Sequence, residues 1–445
     1  MAKLPLEGVR VVAIHLVWAL PYACQLLADF GAEVIWVESL QHFPRATRGL
    51  MARPPKELVP MLGSIGRGFP DMDPGERPWN RVAAFNIHMR NKHSCTMDLT
   101  RPKGMEMFKR LISTADVFVE NNAVGRMPKL GITYESLKEV KPDIIMLSAP
   151  GYGNTGPYNK YVGYGFNVEC VSGFTSLRGY PEDAPTTCSS TFWMDATSGA
   201  AMPFAVMSAL HYRKRTGKGQ FIDFSQSENL MQWYGESIMD YTANGRVQGT
   251  LGNRHTSAVQ GCYPCQPSPR RIRPEVFAPK DFADDQWINI SIFNDEQWQG
   301  LCRAMGNPEW TKDDKFADAL SLYKNHDELN KHIAAWTRTQ DKYDAFRILQ
   351  KEGVPSGPVL DDKDVFADPH VKERGFFQEI NAPECGTHLY PGLAWKMSKT
   401  PGSIRKPPVR VGEDNEYVYK KIMGVSEAEY EEMAKEQHIG MDFIG

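Results

Sequence analysis

The chain has 445 residues, of which 42% are hydrophobic, and its formal net charge is -3. This length is sufficient for two or more domains with a large buried core. The near-neutral charge argues against a nucleic-acid partner, no apolar run is long enough to cross a bilayer, and the first residues lack the apolar core of a signal peptide. We therefore expect a cytoplasmic protein that binds neither nucleic acid nor a membrane.

Strands and helices alternate along the first third of the chain. Residues 9–14 and 33–38 indicate buried strands, and residues 21–30 between them indicate a helix with Pro21 at its first position and Gly31 as its stop. Such a βαβ unit implies parallel strands. The alternation continues with predicted helices and strands at residues 104–114, 116–120, 136–140 and 143–148. The pattern predicts an α/β fold, with a doubly wound, Rossmann-like sheet that carries helices on both faces.

The first turn between strand and helix, residues 15–21, has no G-x-G-x-x-G motif. Bulky side chains there prevent the close approach of a pyrophosphate, which argues against ordinary NAD or FAD binding. Residues 40–84 then interrupt the alternation, and they are rich in Pro, Gly, Arg and Met. We interpret them as an elaborated surface loop, with a lid over a substrate as the alternative. The basic cluster within residues 266–274 is interpreted as a solvated loop.

The second half of the chain changes character. Residues 287–292 indicate a strand, and the segments that follow indicate helices at residues 295–305, 326–337 and 341–352. We therefore predict a large Rossmann-like domain over residues 1–230, a smaller α+β domain over residues 231–340, and a return to the large domain over residues 341–445. The 8 irregularly spaced cysteines are typical of reduced thiols, and the 11 histidines show no metal-ligand spacing, so no metal site is expected.

Asp195 precedes a long apolar helix that ends near residues 211–220. A carboxylate at a helix N-terminus lies near unpaired N–H groups and the positive end of the helix dipole. We expect such a carboxylate to stay ionised and aimed, which suits a nucleophile. The alternative for Asp195 is an ordinary N-cap.

An ordered series of short motifs runs over nearly the whole chain. No single motif is specific, but their order is, and they lie at residues 6–12, 26–35, 91–94, 97–99, 115–121, 151–158, 163–164, 195, 215–220, 252–254, 353–359, 368–371 and 374–377. In this order they resemble the class III CoA-transferases, the family of formyl-CoA transferase and carnitine CoA-transferase.

The resemblance implies a mechanism for Asp195. In the family the matching aspartate attacks an acyl-CoA thioester, and a mixed anhydride and then an aspartyl-CoA thioester follow. Covalent catalysis of this kind needs no permanently bound cofactor, since coenzyme A enters as part of the substrates.

The resemblance also implies which residues contact the substrates. It assigns Val17, Trp18 and Ala19 to the pantetheine and thioester region and Met89 and Lys92 to the nucleotide, and it gives further CoA contacts to Asn121, Asn122, Arg126 and Lys129. Lysine and arginine at these positions suit the phosphates of CoA. The expected substrate pocket contains Tyr152, Tyr164 and Trp193. Gly165 is a departure, because the family often has an acidic or polar residue after this tyrosine.

Several functions stay open within and beyond the family. We expect succinyl-CoA as donor and an aromatic or branched acid such as benzylsuccinate as acceptor, since Trp18, Trp193 and Met194 suit a bulky group. The alternatives are an intramolecular CoA-transferase, an acyl-CoA racemase, which has His where this chain has Tyr164, and a non-catalytic subunit of a heteromeric transferase. The resemblance further implies an interlocked dimer, formed with a second copy or with a related subunit.

Overall fold

The structure is a computed structural model that describes residues 3–59, 68–183, 192–267 and 286–444. It contains two compact units. The first comprises Met1–Thr175, Ser189–Val247 and Glu373–Gly445, and the second comprises Ser176–Cys188 and Gln248–Lys372.

The bounds of these units differ from the domain bounds predicted at residues 230 and 340. Residues 231–247 lie in the first unit, and the segment from 341 to 372 lies in the second unit rather than in a return segment. The later bound has a physical reason, because the helix Lys342–Lys351 packs against two strands of the second unit. The limits at residues 230 and 340 thus differ from the bounds of the compact units, and as limits of domains they stay a prediction.

A six-stranded sheet forms the centre of the first unit. Its strands are β1 (Arg10–Ile14), β2 (Glu33–Glu38), β3 (Lys92–Thr96), β4 (Val117–Glu120), β5 (Ile145–Ser148) and β6 (Phe221–Asp223). They are all parallel, in the order β3-β2-β1-β4-β5-β6. The predicted α/β fold with a doubly wound sheet is confirmed. In this order the chain reverses direction across the sheet between β1 and β4, and ligands of such sheets bind at the carboxyl ends of the strands at that point.

The helices of this part of the chain are α1 (Ala19–Asp29), α2 (Ala83–Asn86), α3 (Pro102–Ile112), α4 (Arg126–Lys129), α5 (Tyr134–Val140), α6 (Gly165–Ser172), α7 (Trp193–Thr216), α8 (Gln226–Met231) and α9 (Gly235–Asn244). Two cores lie on opposite faces of the sheet. Val11 and Ala13 of β1 face α1 and α7, whereas Val12 faces α3 and the C-terminal segment. The alternation follows from the two-residue period of a strand. Each buried Val, Leu or Phe stabilises the fold by about 1.5–3 kcal/mol.

Strand β3 has no sequence signal because its residues are mostly polar. Their polar groups are satisfied in the interior: the Ser94 hydroxyl donates to Glu38 at 2.6 Å, and the Thr96 amide donates to Asn415 at 2.7 Å. The return segment of the chain thus completes this edge of the first unit.

Residues 40–84 were interpreted as an elaborated surface loop, and part of the described segment is instead packed into the first unit. The Arg48 and Trp79 side chains are buried, and Phe69, Val82 and Phe85 join a small core with Trp36. Burial of Arg48 is possible because its guanidinium pairs with Glu38. The segment contains 3₁₀ helices at Lys56–Leu58, Pro70–Met72 and Pro78–Asn80. Residues 60–67, with Arg67, lie outside the described residues.

The second unit is the smaller α+β unit that the sequence predicts. Its antiparallel sheet has the order β7 (Val259–Pro264), β8 (Trp287–Ile292) and β9 (Ser356–Pro358), and its helices are α10 (Asp295–Ala304), α11 (Ala319–Lys324), α12 (His326–Thr337), α13 (Lys342–Lys351), α14 (Asp362–Ala367) and α15 (Pro369–Glu373). Ile288, Ile290, Trp298 and Leu329 belong to its core. In the basic cluster of residues 266–274, positions 268–274 lie outside the described residues.

The chain ends in the first unit with a two-stranded antiparallel sheet and a last helix, namely β10 (Phe377–Ala382), β11 (Gly386–Pro391) and α16 (Glu427–Lys435). Further single turns of 3₁₀ helix lie at Phe174–Leu177, Gln232–Tyr234, Glu309–Lys312 and Asp314–Phe316, with a π-helical turn at Tyr417–Ile422. Across the described residues, no helix combines the length and apolarity that crossing a bilayer requires.

Candidate active site

Two of the cavities at the carboxyl ends of the parallel strands lie on either side of the point where the strand order reverses. The larger has a volume of about 540 Å³ and lies beyond β1, β2 and β3. The smaller has a volume of about 360 Å³ and contains Asp195. Leu16, Asn122 and Arg126 line both cavities, so the two form one crevice within the first unit. Its position is where a doubly wound sheet binds its ligand.

Asp195 lies in the first turn of α7, and only 6% of its surface is exposed. The residue at the N-cap position of this helix is Phe192, so Asp195 is not the N-cap that was the alternative from sequence. It forms no ion pair with any other described residue. A buried carboxylate without a cation is costly, which makes it a candidate for function.

Two glycines permit the close packing around Asp195. A Cβ atom added at Gly165 would lie 2.1 Å from Oδ2 of Asp195, so the start of α6 approaches the carboxylate only because this residue is glycine. A Cβ atom added at Gly199 would lie 2.8 Å from the carbonyl oxygen of Ala19. Gly199 therefore lets α1 begin beside the first turns of α7.

The environment of Asp195 favours its protonated form. Burial raises its pKa, the hydrogen bond from the Ala19 backbone amide lowers it, and the charge of Glu169 raises it, which brings the pKa to about 7. Desolvation thus outweighs the helix N-terminus, and the expectation of a fully ionised carboxylate is wrong for the free chain. A carboxylate with a pKa near neutrality is a stronger nucleophile once it is deprotonated.

The turn between β1 and α1 faces this carboxylate in a strained conformation. Val17 has a φ of 63°, which is uncommon for a β-branched residue. Its amide donates to the hydroxyl of Thr47 at 2.7 Å, and the Asn121 side chain both accepts from the Leu16 amide at 2.8 Å and donates to the Leu16 carbonyl at 3.0 Å. These bonds hold the turn so that Ala19 reaches Asp195.

Asn121 and Asn122, which the resemblance assigns to CoA contacts, line the crevice. Their side chains form hydrogen bonds within the protein, because Asn121 donates to the Leu16 carbonyl and Asn122 donates to the Ile14 carbonyl at 3.3 Å. They shape the crevice walls.

Arg126 and Lys129 are exposed cations on α4, and both line the larger cavity. No ion pair joins either side chain to another described residue. Two cations without carboxylate partners at a cavity rim suit the phosphates of a ligand.

Met89 and Lys92 lie elsewhere, in the interior of the first unit. The Lys92 ammonium is buried and donates to the Pro21 carbonyl at 2.8 Å, with the Met89 sulfur at 3.7 Å, and burial lowers its pKa to about 8. Neither residue lines the two cavities. The predicted phosphate contact of Lys92 therefore finds no support, since its donors serve the core.

The aromatic residues separate into two groups. Tyr152 and Tyr164 line the cavity with Asp195, whereas Trp18 and Trp193 do not. The Trp18 ring packs against Phe192 with centroids 5.8 Å apart, and Trp193 is 47% exposed. Among the described residues, the rings of Trp18 and Trp193 therefore do not form the aromatic pocket that the sequence predicts for this cavity.

Glu169 is a residue that sequence analysis did not single out. It lies fully buried on α6, and its carboxylate accepts the Met194 amide at 3.0 Å. The only signal in the sequence was an acidic residue within the apolar segment after Tyr164. Within the described parts of the chain, no group of three or more His, Cys, Asp or Glu residues is arranged to hold a metal ion.

The chain is similar to known CoA-transferases over nearly its whole length. A relative from Chloroflexus aurantiacus, the beta subunit of succinyl-CoA–L-malate CoA-transferase, is 29% identical over 98% of each chain. The succinate–glutarate CoA-transferase of Agrobacterium fabrum is 30% identical over 94% of this chain and 96% of its own. The crystal structure of a CAIB/BAIF family protein from Brucella suis superposes with a TM-score of 0.77, at 29% identity, over 94% of this chain and all of that one.

The family model described as CoA-transferase family III matches residues 6–415. This range includes the doubly wound sheet, Asp195 and both cavities. The resemblance stated from the motifs is confirmed. The chain is an enzyme that belongs to CoA-transferase family III.

Proposed function

We propose that this enzyme transfers CoA from succinyl-CoA to a second carboxylic acid, with Asp195 as the covalent carrier. The observation that carries the proposal is the buried carboxylate in a cavity that opens into a second, cation-lined cavity. A nucleophile at one end and two cations at the other match a ligand with a thioester at one end and phosphates at the other.

The chemistry balances without a redox partner or water. The Asp195 carboxylate attacks the thioester carbonyl of succinyl-CoA, the C–S bond breaks, and an aspartyl–succinyl anhydride and CoA thiolate form. The thiolate attacks the aspartyl carbonyl, which releases succinate and leaves aspartyl-CoA. The acceptor carboxylate then attacks this thioester, and the C–S bond breaks to give an aspartyl–acceptor anhydride and CoA thiolate. The thiolate finally attacks the acceptor's carbonyl, which gives the new acyl-CoA and free Asp195.

The crevice suggests an orientation for the donor. The nucleotide would occupy the larger cavity, with Arg126 and Lys129 at its phosphates, and the pantetheine chain would pass Leu16 and Asn122 toward Asp195. The Ala19 amide would hold the attacking Asp195 carboxylate in place, whereas the Leu16 and Val17 amides already donate to Asn121 and Thr47. Coenzyme A enters in this scheme only as part of the substrates.

For the acceptor we propose a dicarboxylic acid with a branched or aromatic substituent, of which benzylsuccinate is an example. The relatives named for L-malate and glutarate support a second carboxylate. Tyr152 and Tyr164 line the cavity and supply hydroxyl donors for that group, while their rings suit an apolar substituent.

The other activities have less support. Racemisation needs a base pair that moves an α-proton, and the described residues that line the cavity include no histidine. An intramolecular transfer within one diacid would use the same Asp195 and differs only in whether an external acceptor is needed. A purely non-catalytic subunit would not need the nucleophile and its oriented amide.

The partner of the chain is proposed from exposed apolar residues on two helices. Helix α9 has no buried residue although it contains Ile238, Met239 and Tyr241, and Phe204 of α7 is 72% exposed. Apolar surface of this extent marks a protein interface. We propose that a second copy or a related subunit covers it, as the interlocked dimer requires, and light scattering would give the stoichiometry.

We also place the enzyme in the cytoplasm. The seven described cysteines are all free thiols, which suits a reducing compartment.

The test is a transfer assay with succinyl-CoA and a panel of acids, namely benzylsuccinate, methylsuccinate, malate, glutarate, formate, oxalate and carnitine. Asp195→Ala should lower transfer to every acid by at least about 10³-fold, since the covalent route is lost. Full activity of Asp195→Ala would contradict the mechanism, and a strong preference for formate, oxalate or carnitine would contradict the proposed acceptor.

A further inference from the structure

The aromatic surface of the cavity that contains Asp195 comes from one short segment of the chain. Among the described residues, the aromatic side chains that line this cavity are Tyr152, Tyr161 and Tyr164, and Val162 lines it beside them. The segment lies between β5 and α6 and belongs to the first unit, as Asp195 does. Because the two tryptophans expected from sequence do not line the cavity, a bulky acyl group would have to pack on this segment.

The apolar side chains of the segment are largely uncovered. Tyr158, Tyr161, Val162 and Tyr164 are 47%, 62%, 81% and 64% exposed. A single exposed apolar residue is ordinary, but four within seven residues form a continuous patch. A patch of this kind at the mouth of a ligand cavity marks a binding surface.

The segment has a defined shape before any ligand binds. The Tyr161 amide donates to the Tyr158 carbonyl at 2.9 Å, and the Asn159 side chain donates to the Asn154 carbonyl at 3.0 Å. The ring of Tyr158 stacks on that of Tyr161 with centroids 4.9 Å apart, and it meets the ring of Tyr152 edge-on at 6.2 Å. A preformed surface loses little conformational entropy when it binds a ligand.

We propose that Tyr161 and Val162 form the wall that selects the acceptor acid, and that an aryl substituent of this acid packs on them. The inference rests on the proposed function and adds to it the residues that determine specificity. Tyr158 covers one side of the Tyr161 ring, and a phenyl group of the acid would extend this row of rings by one. Contacts between aromatic rings are favourable beyond the apolar area that they bury.

The wall suits the substituent of the acid rather than its carboxylates. The side chain of Val162 has no polar atom, and neither Val162 nor Tyr161 carries a charge that would attract an anion. The hydroxyls of Tyr152 and Tyr164 remain for the second carboxylate, while the first reacts at Asp195. The division of the cavity therefore fits a succinate that carries an aryl group.

The test compares the binding of benzylsuccinate and methylsuccinate, which share a succinate backbone and differ by a phenyl ring. Titration calorimetry of the full chain with CoA present should give a Kd for benzylsuccinate that is about 10–100-fold lower, because the phenyl ring leaves water. Tyr161→Ser and Val162→Thr should each reduce this preference by about three- to tenfold. The affinity for methylsuccinate should change little, since its methyl group is too short to cover the wall.

Val247→Thr is the matched control. Val247 is 82% exposed, nearly the same as Val162, but it lies outside the cavity of Asp195. This variant should keep the preference of the unaltered chain. In all variants the ratio of the kcat/KM values for transfer to the two acids should follow the ratio of the affinities. Since the altered side chains are exposed, the variants should fold, and light scattering should give an unchanged stoichiometry.

Equal affinity of the unaltered chain for the two acids would overturn the inference, as would an unchanged preference in Tyr161→Ser or Val162→Thr. A changed stoichiometry in either variant would show that the segment contacts another subunit, and this would overturn the inference as well. These results leave Asp195 as the nucleophile. Absence of a CoA adduct on Asp195, with the preference for benzylsuccinate intact, would instead overturn the proposed function.

Discussion

Two buried acids of the first unit have opposite environments. Glu38, at the end of β2, is held by Arg48 through two hydrogen bonds of 2.6 and 2.7 Å, and the guanidinium lies over the rings of Trp36 and Phe85. Asp195, on the first turn of α7, has another acid nearby and one backbone amide. The first arrangement neutralises the charge, whereas the second leaves it uncompensated.

The comparison distinguishes a buried acid that stabilises the fold from a buried acid that is available for chemistry. A paired carboxylate in the interior loses its reactivity, because the cation and the hydrogen bonds stabilise the ionised form. An unpaired one keeps a raised pKa and remains available for covalent chemistry. Each of the following variants tests this difference between the two acids.

The largest effect is expected from Arg48→Met. Removal of the guanidinium leaves Glu38 buried without its cation, and this should lower the free energy of unfolding by about 3–5 kcal/mol. Arg347→Met, at an ion pair whose side chains are 68% and 63% exposed, is the control and should change it by less than about 1 kcal/mol. Urea denaturation measures the free energy of unfolding of both variants. Equal losses would contradict the claim that the fold depends on the pairing of Glu38 with Arg48.

Asp195→Asn should have the opposite effect on stability. The folded state holds the Asp195 proton more tightly than the unfolded chain, since its pKa is about 7 rather than 3.8. The unaltered chain therefore loses stability as the pH rises from about 4 to about 7, and Asp195→Asn does not share this loss. Above pH 7 the variant should be more stable by roughly 2–4 kcal/mol. A gain of the same size at pH 4 would contradict the assignment.

Gly165→Ala should alter the site with a smaller change in folding. The added methyl group would meet Oδ2 of Asp195 and displace the carboxylate. A misplacement of this kind costs about 10² in kcat. Gly235→Ala is the control, because a Cβ atom there meets no atom within 4 Å. Steady-state kinetics with succinyl-CoA distinguish the two, and an unchanged kcat in Gly165→Ala would show that the close approach is not needed.

Sequence reasoning predicted the features that follow from hydrophobic patterns. The apolar runs of β1 and β2 and the proline and glycine that bound α1 specify a βαβ unit, and the helix predicted at residues 326–337 has the bounds His326–Thr337 in the structure. Asp195 could be predicted because it stands at the start of a long apolar segment, which forms the helix Trp193–Thr216.

The burial of charged residues could not be predicted in the same way. A single lysine or arginine is usually exposed. Arg48 and Lys92 are nevertheless buried, because their side chains donate hydrogen bonds to Glu38 and to the Pro21 carbonyl, which lie elsewhere in the chain. The Glu169 carboxylate accepts the Met194 amide, 25 residues later in the chain, through a tertiary contact. Contacts of this kind have no local periodicity, so only the fold reveals them.

The central claim is that Asp195 carries CoA covalently. The most direct measurement is mass spectrometry of the protein after incubation with succinyl-CoA, followed by digestion and sequencing of the modified peptide. A CoA adduct on Asp195 that disappears on addition of an acceptor acid is the predicted result. Turnover without an adduct, or an adduct on another residue that persists in Asp195→Ala, would contradict the account.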